Sequence, residues 1–187
     1  AAAITNKLIE SGHAVLYRSV PDLMDDLRAG FSSGAESPYT ETFEHIKNAP
    51  ILVLDDLGIQ SDTAWSREKL DQLITYRIHQ ELPTVLVTAM PLVAIDERLR
   101  NRIADPRLAK VLQLGGNDTA DHDWAEGLEL QKWMTFASFD HDRLNLPVEE
   151  RENLNRAYKV AHDFAAAPEG WLILQGVTGC GKTHLAS

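Results

Sequence analysis

The sequence predicts an α/β fold in which helices flank a parallel sheet. Short apolar segments with strand character alternate along the chain with longer segments whose apolar residues have helical spacing. Two of the apolar segments end in residues that suit ligand binding, a glycine-rich run in one case and two aspartates in the other. Open α/β sheets bind ligands at the carboxyl ends of their strands, so both features are expected at one edge of the sheet.

The glycine-rich run follows the apolar segment 171–175 and fits the phosphate-binding pattern G-x-x-x-x-G-K-T. Glycines let the backbone turn its N–H groups toward an anion, and the helix that begins there adds its positive end. Lys182 is expected to reach the β- and γ-phosphates of ATP, and Thr183 to supply a hydroxyl to Mg²⁺. The pattern predicts a P-loop NTPase whose nucleotide-binding residues are Gly176, Val177, Thr178, Gly179, Cys180, Gly181, Lys182, Thr183 and His184.

The two aspartates end the apolar run that begins at Ile51. A run of this kind is typical of a buried central strand. We predict that Asp55 holds Mg²⁺ beside Thr183, directly or through water. Asp56 would then polarise the water that attacks the γ-phosphate.

The other elements follow from local signals in chain order. Pro21 suits the first position of a helix, acids fill its first turns, and Gly30 ends it. Serine, glycine and proline predict an exposed loop at 31–39. Further helices are predicted at 41–48, 64–82, 92–103 and 147–166, and further strands at 13–19, 83–88 and 109–114. The polar face of helix 64–82 is interpreted as solvated, although a DNA-binding patch is the alternative; it carries Arg67, Lys69, Tyr76, Arg77 and His79.

The two ends of the chain suggest a permuted order. The helix after the P-loop has hardly begun at Ser187, whereas the chain opens at Ala1 in a helical segment that Gly12 ends. Read from end to start, these pieces make one P-loop helix. We therefore predict a circular permutation with its seam inside that helix, which places the two ends within roughly 10 Å of each other.

Composition limits the class of protein. The chain has 187 residues, 44% of them hydrophobic, which suits one core. No signal peptide or membrane span is predicted, and the single cysteine suits a reducing, cytoplasmic compartment. A net charge of −10 argues against a broad nucleic-acid surface. His122 lies between two aspartates but lacks further ligands, so its segment is interpreted as a loop rather than a metal site.

Read in the order 132–187 and then 1–114, with 115–131 as a linker, nearly the whole chain resembles a known family. It is similar to the AAA+ core of DnaC/DnaI-type helicase loaders and of IstB-type transposition helpers. The segments that carry the resemblance are Met134-Thr-Phe-Ala-Ser-Phe-Asp140, the P-loop, Pro21-Asp-Leu23, Leu52-Val-Leu-Asp-Asp-Leu-Gly58, Glu68-Lys-Leu70, Leu82-Pro-Thr84 and Asp96-Glu-Arg-Leu-Arg-Asn-Arg102.

The resemblance implies a five-stranded parallel sheet, ATP at a subunit edge of a homo-oligomer, and an arginine finger from the neighbouring subunit. Arg102 is the first choice for the finger, ahead of Arg98 and Arg100. It also implies a replicative helicase and single-stranded DNA as partners. The chain departs from the family pattern at Ala89, close to where relatives place a polar sensor, and at Asp56, where many AAA+ proteins have glutamate.

Four functions follow as alternatives. The first is an ATP-driven loader or remodeller of a DNA helicase, and the second is a transposition helper. The third is a nucleotide-dependent adaptor with little turnover, which Ala89 favours. The fourth, a small-molecule kinase, would need a second substrate pocket and an arginine-rich lid, and the sequence indicates neither.

Overall fold

A computed structural model describes residues 2–32, 36–58, 63–114, 133–141, 146–177 and 180–186. Helices and strands alternate along these ranges, as the sequence predicts. The elements are α1 (Ala2–Glu10), β1 (Val15–Ser19), α2 (Val20–Ser32), α3 (Glu36–Lys47), β2 (Ile51–Asp55), α4 (Ala64–His79), β3 (Thr84–Thr88), α5 (Glu97–Ile103), β4 (Ala109–Leu114), α6 (Val148–Ala166), β5 (Trp171–Gly176) and α7 (Lys182–Ala186).

The five strands form one parallel sheet in the order β1-β2-β3-β5-β4. Strand β5 comes last in the chain, yet it pairs with β3 on one side and with β4 on the other. The predicted five-stranded parallel sheet is confirmed. All the strands end at the same edge, which carries both the P-loop after β5 and the aspartates after β2.

Helices cover both faces of the sheet, and each face has its own apolar cluster. One cluster joins α1, α6 and α7 to the sheet through residues such as Ile4, Leu8 and Leu185. The other joins α2, α4 and α5 to the opposite face. Strands β2 and β3 are buried along their whole length, as parallel strands covered on both faces must be.

One prediction about the polar face of helix α4 is wrong. Arg77 was predicted to lie on the solvated side, but it is fully buried. Its guanidinium donates to the Thr84 hydroxyl at 3.0 Å and to the backbone carbonyls of Lys47, Ala49 and Pro83 at 3.1, 2.8 and 2.8 Å. Burial lowers the pKa of Arg77 to about 10, so the side chain stays charged at neutral pH. It joins α4 to the starts of β2 and β3.

Three predicted boundaries are also wrong. The loop predicted at 31–39 is partly helical, because α2 continues to Ser32 and α3 begins at Glu36 rather than at residue 41. The helix predicted at 92–103 is a 3₁₀ turn at 92–94 followed by α5. Asp96 causes this break, because its carboxylate caps the α5 N-terminus by accepting from the backbone N–H groups of Arg98 and Leu99. Helix α4 ends at His79, shortly before Glu81, which has a φ of +54°.

The permutation remains a prediction, because Ala1 and Ser187 lie outside the described residues. Helices α1 and α7, the two pieces of the predicted P-loop helix, contact each other, and both contact α6. The predicted linker 115–131 and His122 also lie outside the described ranges, so the division into 1–114, 115–131 and 132–187 stays a prediction as well.

Candidate nucleotide-binding site

The P-loop leaves the sheet at β5, between the ends of β3 and β4. Two of its glycines are required by close contacts. A Cβ at Gly176 would lie 2.3 Å from the carbonyl oxygen of Leu114 and 2.7 Å from Cys180 Sγ. Gly181 has a φ of +97°, and a Cβ there would lie 2.8 Å from the ring of Phe139. Thr178 and Gly179 lie outside the described residues, so the loop is described at its two ends.

Lys182 is the first residue of α7 and is 93% buried, with 7% of its surface exposed. Its ammonium donates to the carbonyl oxygen of Val177 at 2.7 Å and lies 3.8 Å from Cys180 Sγ. The lysine is therefore held by a backbone carbonyl at the start of its own loop. Burial raises the pKa of the Cys180 thiol, so the sulfur stays protonated at neutral pH and packs rather than reacts.

The acidic pair follows β2, two strands away from β5 in the sheet. Asp55 is buried, and both of its carboxylate oxygens accept a hydrogen bond. Oδ2 accepts from the Tyr17 hydroxyl at 2.8 Å, and Oδ1 accepts from the backbone N–H of Asp56 at 2.9 Å. Each oxygen keeps a second lone pair. A carboxylate of this kind fits Mg²⁺, which takes oxygen ligands and holds on to several waters.

Asp56 sits in a strained and acidic position. Its φ is +57°, in the left-handed region that few non-glycine residues adopt. Burial raises the pKa of its carboxyl, and the charges of Asp55 and Asp22 raise it further, while the charge of Lys182 lowers it. The P-loop lysine and the second aspartate, far apart in sequence, lie at the same edge of the sheet, after β5 and β2.

The spacing of the strands sets the size of this site. Neighbouring strands lie about 4.8 Å apart, so β2 and β5 are separated by roughly 10 Å across β3. That gap leaves room for phosphates and a hydrated cation between the aspartates and the P-loop.

Thr88 ends the strand between them and directly precedes Ala89, which lies close to where a polar sensor is expected. Its buried hydroxyl donates to the Leu57 carbonyl at 2.7 Å and accepts from the Met90 N–H at 3.0 Å. The hydroxyl thus ties the loop after Asp56 to β3. Met90 fills the space beside Gly58, where a Cβ would lie 2.6 Å from its sulfur. The Thr88 hydroxyl is therefore engaged in hydrogen bonds within the protein, and the side chain of Ala89 adds no polar group.

The segment 133–141 packs against the P-loop helix. His184 Nε2 donates to the Thr135 carbonyl at 2.9 Å and lies 3.2 Å from Ser138 Oγ. The ring of Phe139 meets the His184 ring edge-on, with centroids 5.1 Å apart. The imidazole of His184 is therefore engaged with this segment. Phe139, which the sequence did not assign to the site, limits the space at Gly181.

The three arginines of α5 lie in different surroundings. Arg102 makes an ion pair with Asp71 of α4, with Nη1 and Oδ1 2.9 Å apart but not aligned as a hydrogen bond. The Arg100 guanidinium donates to the Val93 carbonyl at 3.2 Å. Arg98 is exposed. Both side chains of the Arg102–Asp71 pair are 37% exposed, although the two facing atoms, Nη1 and Oδ1, are themselves buried.

One prediction concerns the strain at Asp56. Asp56→Asn should stabilise the nucleotide-free protein by about 0.5 kcal/mol, at the low end of stabilising substitutions, because Asn tolerates positive φ well and carries no charge. The folded state raises the pKa of Asp56 above its unfolded value. The part of the gain that comes from charge is therefore complete above the folded pKa and lost below the unfolded pKa of about 4, whereas the part that comes from φ does not depend on pH. Thermal unfolding at neutral pH and below about pH 4 measures this difference.

Asp26→Asn, an exposed aspartate on α2, is the matched control and should leave the melting temperature unchanged. A variant at Asp56 that melts at or below the wild-type temperature at neutral pH would contradict the account of strain and charge.

Comparison with known proteins finds relatives of this chain. No protein-family model matches the chain. Curated relatives do match it: replicative helicase loader DnaC of Escherichia coli K12 is 27% identical over 105 residues, and replicative helicase loader DnaI of Bacillus subtilis is 32% identical over 84 residues. These matches cover 56% and 44% of this chain. Over about half of its length, the chain is similar in sequence to these DnaC/DnaI-type helicase loaders.

The matches cover 42% of the DnaC chain and 26% of the DnaI chain, so the chain spans less than half the length of these relatives. An uncharacterised Escherichia coli protein, YdaV, is 30% identical over 105 residues. Among solved structures, AMPPCP-bound DnaA from Aquifex aeolicus matches with a TM-score of 0.48 and 14% identity, over 85% of this chain and 54% of that one. Within the described ranges, the chain has no helix long and apolar enough to cross a bilayer.

Proposed function

We propose that this chain binds and hydrolyses ATP with Mg²⁺, and that it acts as a DnaC-like loader or remodeller of a replicative DNA helicase. The observation that carries the proposal is that the P-loop, which follows β5, and the aspartates at the end of β2 lie at the same edge of one parallel sheet. The similarity to proteins named replicative helicase loaders supports the biological role.

In this proposal the P-loop holds the phosphates. Backbone N–H groups between Gly176 and Thr183 face the anion, and the N-terminus of α7 adds its partial positive charge. Lys182 exchanges the Val177 carbonyl for the β- and γ-phosphates, which are stronger partners for an ammonium because they are charged. The imidazole of His184 keeps its bond to segment 133–141, so the backbone of His184 is the part that would face the nucleotide.

The two aspartates divide the remaining work. Asp55 and Thr183 would hold Mg²⁺, which neutralises charge on the phosphates when it is bound. Asp56 lies beyond Asp55 and would orient the attacking water and accept its proton. Its raised pKa makes it a better proton acceptor than an ordinary aspartate, while Lys182 limits the shift.

Turnover in this proposal also needs a second subunit of a homo-oligomer. Arg102 would leave Asp71 and reach the γ-phosphate of the neighbouring subunit. The exposed Arg102–Asp71 pair contributes little stability, at most about 1 kcal/mol, so it presents a small barrier to this movement. Single-stranded DNA and the helicase are the proposed macromolecular partners.

A nucleotide-dependent adaptor with little turnover is the second candidate. The commitment of the Thr88 hydroxyl to Leu57 and Met90 favours it, because the γ-phosphate then loses one polar contact. ATP turnover that rises on addition of single-stranded DNA or of a helicase would favour the loader. A transposition helper remains the alternative within the same fold.

Lys182→Ala tests the site itself. The change removes the charge that faces the β- and γ-phosphates, so ATP affinity should fall at least about tenfold, equivalent to about 1.4 kcal/mol. Isothermal titration with Mg·ATP measures the loss. Lys159→Ala, on the exposed face of α6, is the control and should bind as the wild type does. An unchanged isotherm for Lys182→Ala would refute the assignment.

A further inference from the structure

Tyr17 lies beside the carboxylate of Asp55, although β1 and β2 come from distant parts of the sequence. The parallel register pairs Tyr17 with Val53 and Ser19 with Asp55. Side chains two residues apart on a strand share a face of the sheet, so Val53 and Asp55 point the same way. The Tyr17 hydroxyl reaches along that face and donates to Asp55 Oδ2 at 2.8 Å.

The ring of Tyr17 is held by packing independently of its hydroxyl. It packs against the apolar cluster that includes Val53 and also Leu185 of the P-loop helix. The hydroxyl is thus delivered to Asp55 by a side chain with little freedom, from the face of the sheet that carries the P-loop helix. A phenylalanine could keep the same ring contacts and would lack only the donor.

Two donors fix the orientation of the Asp55 carboxylate. Tyr17 holds Oδ2, and the backbone N–H of Asp56 holds Oδ1 at 2.9 Å. Asp55 is 3% exposed, so little water is present to replace either bond. A carboxylate that binds a cation loses affinity when it is free to rotate, and second partners of ligands are commonly worth about 10- to 100-fold in metal affinity or activity.

We propose that Tyr17 is a positioning residue for the Mg²⁺ site, and that its hydroxyl sets the orientation in which Asp55 meets the cation. This inference rests on the proposed function, because it needs Asp55 to serve the cation of bound ATP. Tyr17 touches neither nucleotide nor cation in this proposal. It acts through Asp55 alone.

The test is the Mg²⁺ dependence of ATP binding, measured by calorimetry at a series of free Mg²⁺ concentrations and in EDTA. The Mg²⁺ midpoint is the concentration at which Mg²⁺ has produced half of its full increase in ATP affinity. In Tyr17→Phe this midpoint should rise about tenfold. Affinity for ATP in EDTA should stay within about twofold of the wild type, because the P-loop is untouched. Tyr76→Phe is the control, since its hydroxyl bonds Asn48 at 2.6 Å far from the acidic pair.

A double-mutant cycle separates positioning from a structural effect. In an Asp55→Asn background, Tyr17→Phe should produce no further change in ATP affinity at any Mg²⁺ concentration in the series. A similar change in affinity with and without the Asp55 carboxylate would overturn the inference. So would an unchanged midpoint in Tyr17→Phe, or equal losses of affinity in EDTA and in Mg²⁺.

The same measurements tell this inference apart from the proposed function. If the wild type binds no ATP, or if Mg²⁺ does not strengthen binding, the proposed function fails and the role of Tyr17 fails with it. A different result would refute only the role of Tyr17. In that result the wild type binds Mg·ATP, Asp55→Asn no longer gains ATP affinity from Mg²⁺, and Tyr17→Phe has the same Mg²⁺ dependence as the wild type.

Discussion

Arg102→Ala should bind ATP with wild-type affinity and lose at least about 10³-fold in turnover, the lower end of the effect of an arginine finger. The physical reason is that the guanidinium contributes only when negative charge develops on the phosphates of the neighbouring subunit. Within its own chain Arg102 pairs with Asp71 of α4, so its removal leaves the P-loop intact. Calorimetry measures the binding, and steady-state phosphate release measures the turnover.

Asp71→Asn is the matched control, because it breaks the same ion pair and keeps the guanidinium. If the ion pair alone mattered, Asp71→Asn and Arg102→Ala would lose turnover equally. If Arg102 acts in trans, Asp71→Asn should turn over at least as fast as the wild type, since Arg102 is then released from its own chain.

Mixed subunits give a second readout of the same prediction. Asp56→Asn should bind ATP without hydrolysing it, because the acceptor for the proton of water is lost. Mixed with Arg102→Ala, it should restore some phosphate release, since some interfaces then join an intact Asp56 to an intact Arg102. Normal turnover by Arg102→Ala would transfer the role to Arg98 or Arg100. If Asp56→Asn loses ATP turnover while the alanine variants of Arg98, Arg100 and Arg102 all keep it, the catalytic site is complete within one chain.

The predictable part of this site is the part that local sequence encodes. A strand followed by a glycine-rich turn and a helix needs only neighbouring residues, and so does an apolar run that ends in aspartates. The rule that ligands bind at the carboxyl edge of a parallel sheet then brings Lys182 and Asp56 together. In the structure, β2 and β5 belong to one parallel sheet and end at the same edge, whereas the roles of the two residues stay predictions.

The contacts that tune the site depend on strand order and register, which no single segment encodes. Tyr17 reaches Asp55 only because β1 lies next to β2 with Ser19 opposite Asp55. Phe139 meets Gly181 only because segment 133–141 docks on the P-loop helix. Neither pairing has a sequence signal that we can name.

Arg77 is different, because its helical spacing indicates burial whereas its charge favours an exposed position. Leu70, Leu73 and Ile74 are buried on α4. Arg77 follows them at i+7, i+4 and i+3, on the same stripe of the helix. Helical spacing therefore places Arg77 in the core, whereas a charged residue is expected at the surface. The carbonyl groups at the starts of β2 and β3 resolve the conflict, because they supply acceptors that a buried guanidinium needs.

Arg77→Met should therefore lower the free energy of unfolding by at least about 3 kcal/mol, as expected for the loss of one partner in a buried charged network. Methionine can fill much of the space, but it donates no hydrogen bond to the carbonyls of Lys47, Ala49 and Pro83. The free energy of unfolding of Arg77→Lys should lie between those of the wild type and Arg77→Met. One ammonium cannot reach all of the acceptors that the planar guanidinium spans.

Urea unfolding followed by circular dichroism measures both variants. The midpoint should fall with an unchanged slope, because the folded state buries the same surface. Arg67→Met, an exposed arginine on the same helix, should shift stability by less than about 0.5 kcal/mol. The decisive comparison is between the two methionine variants. Equal midpoints would mean that water replaces the guanidinium in the core, and Arg77 would then not be what joins α4 to β2 and β3.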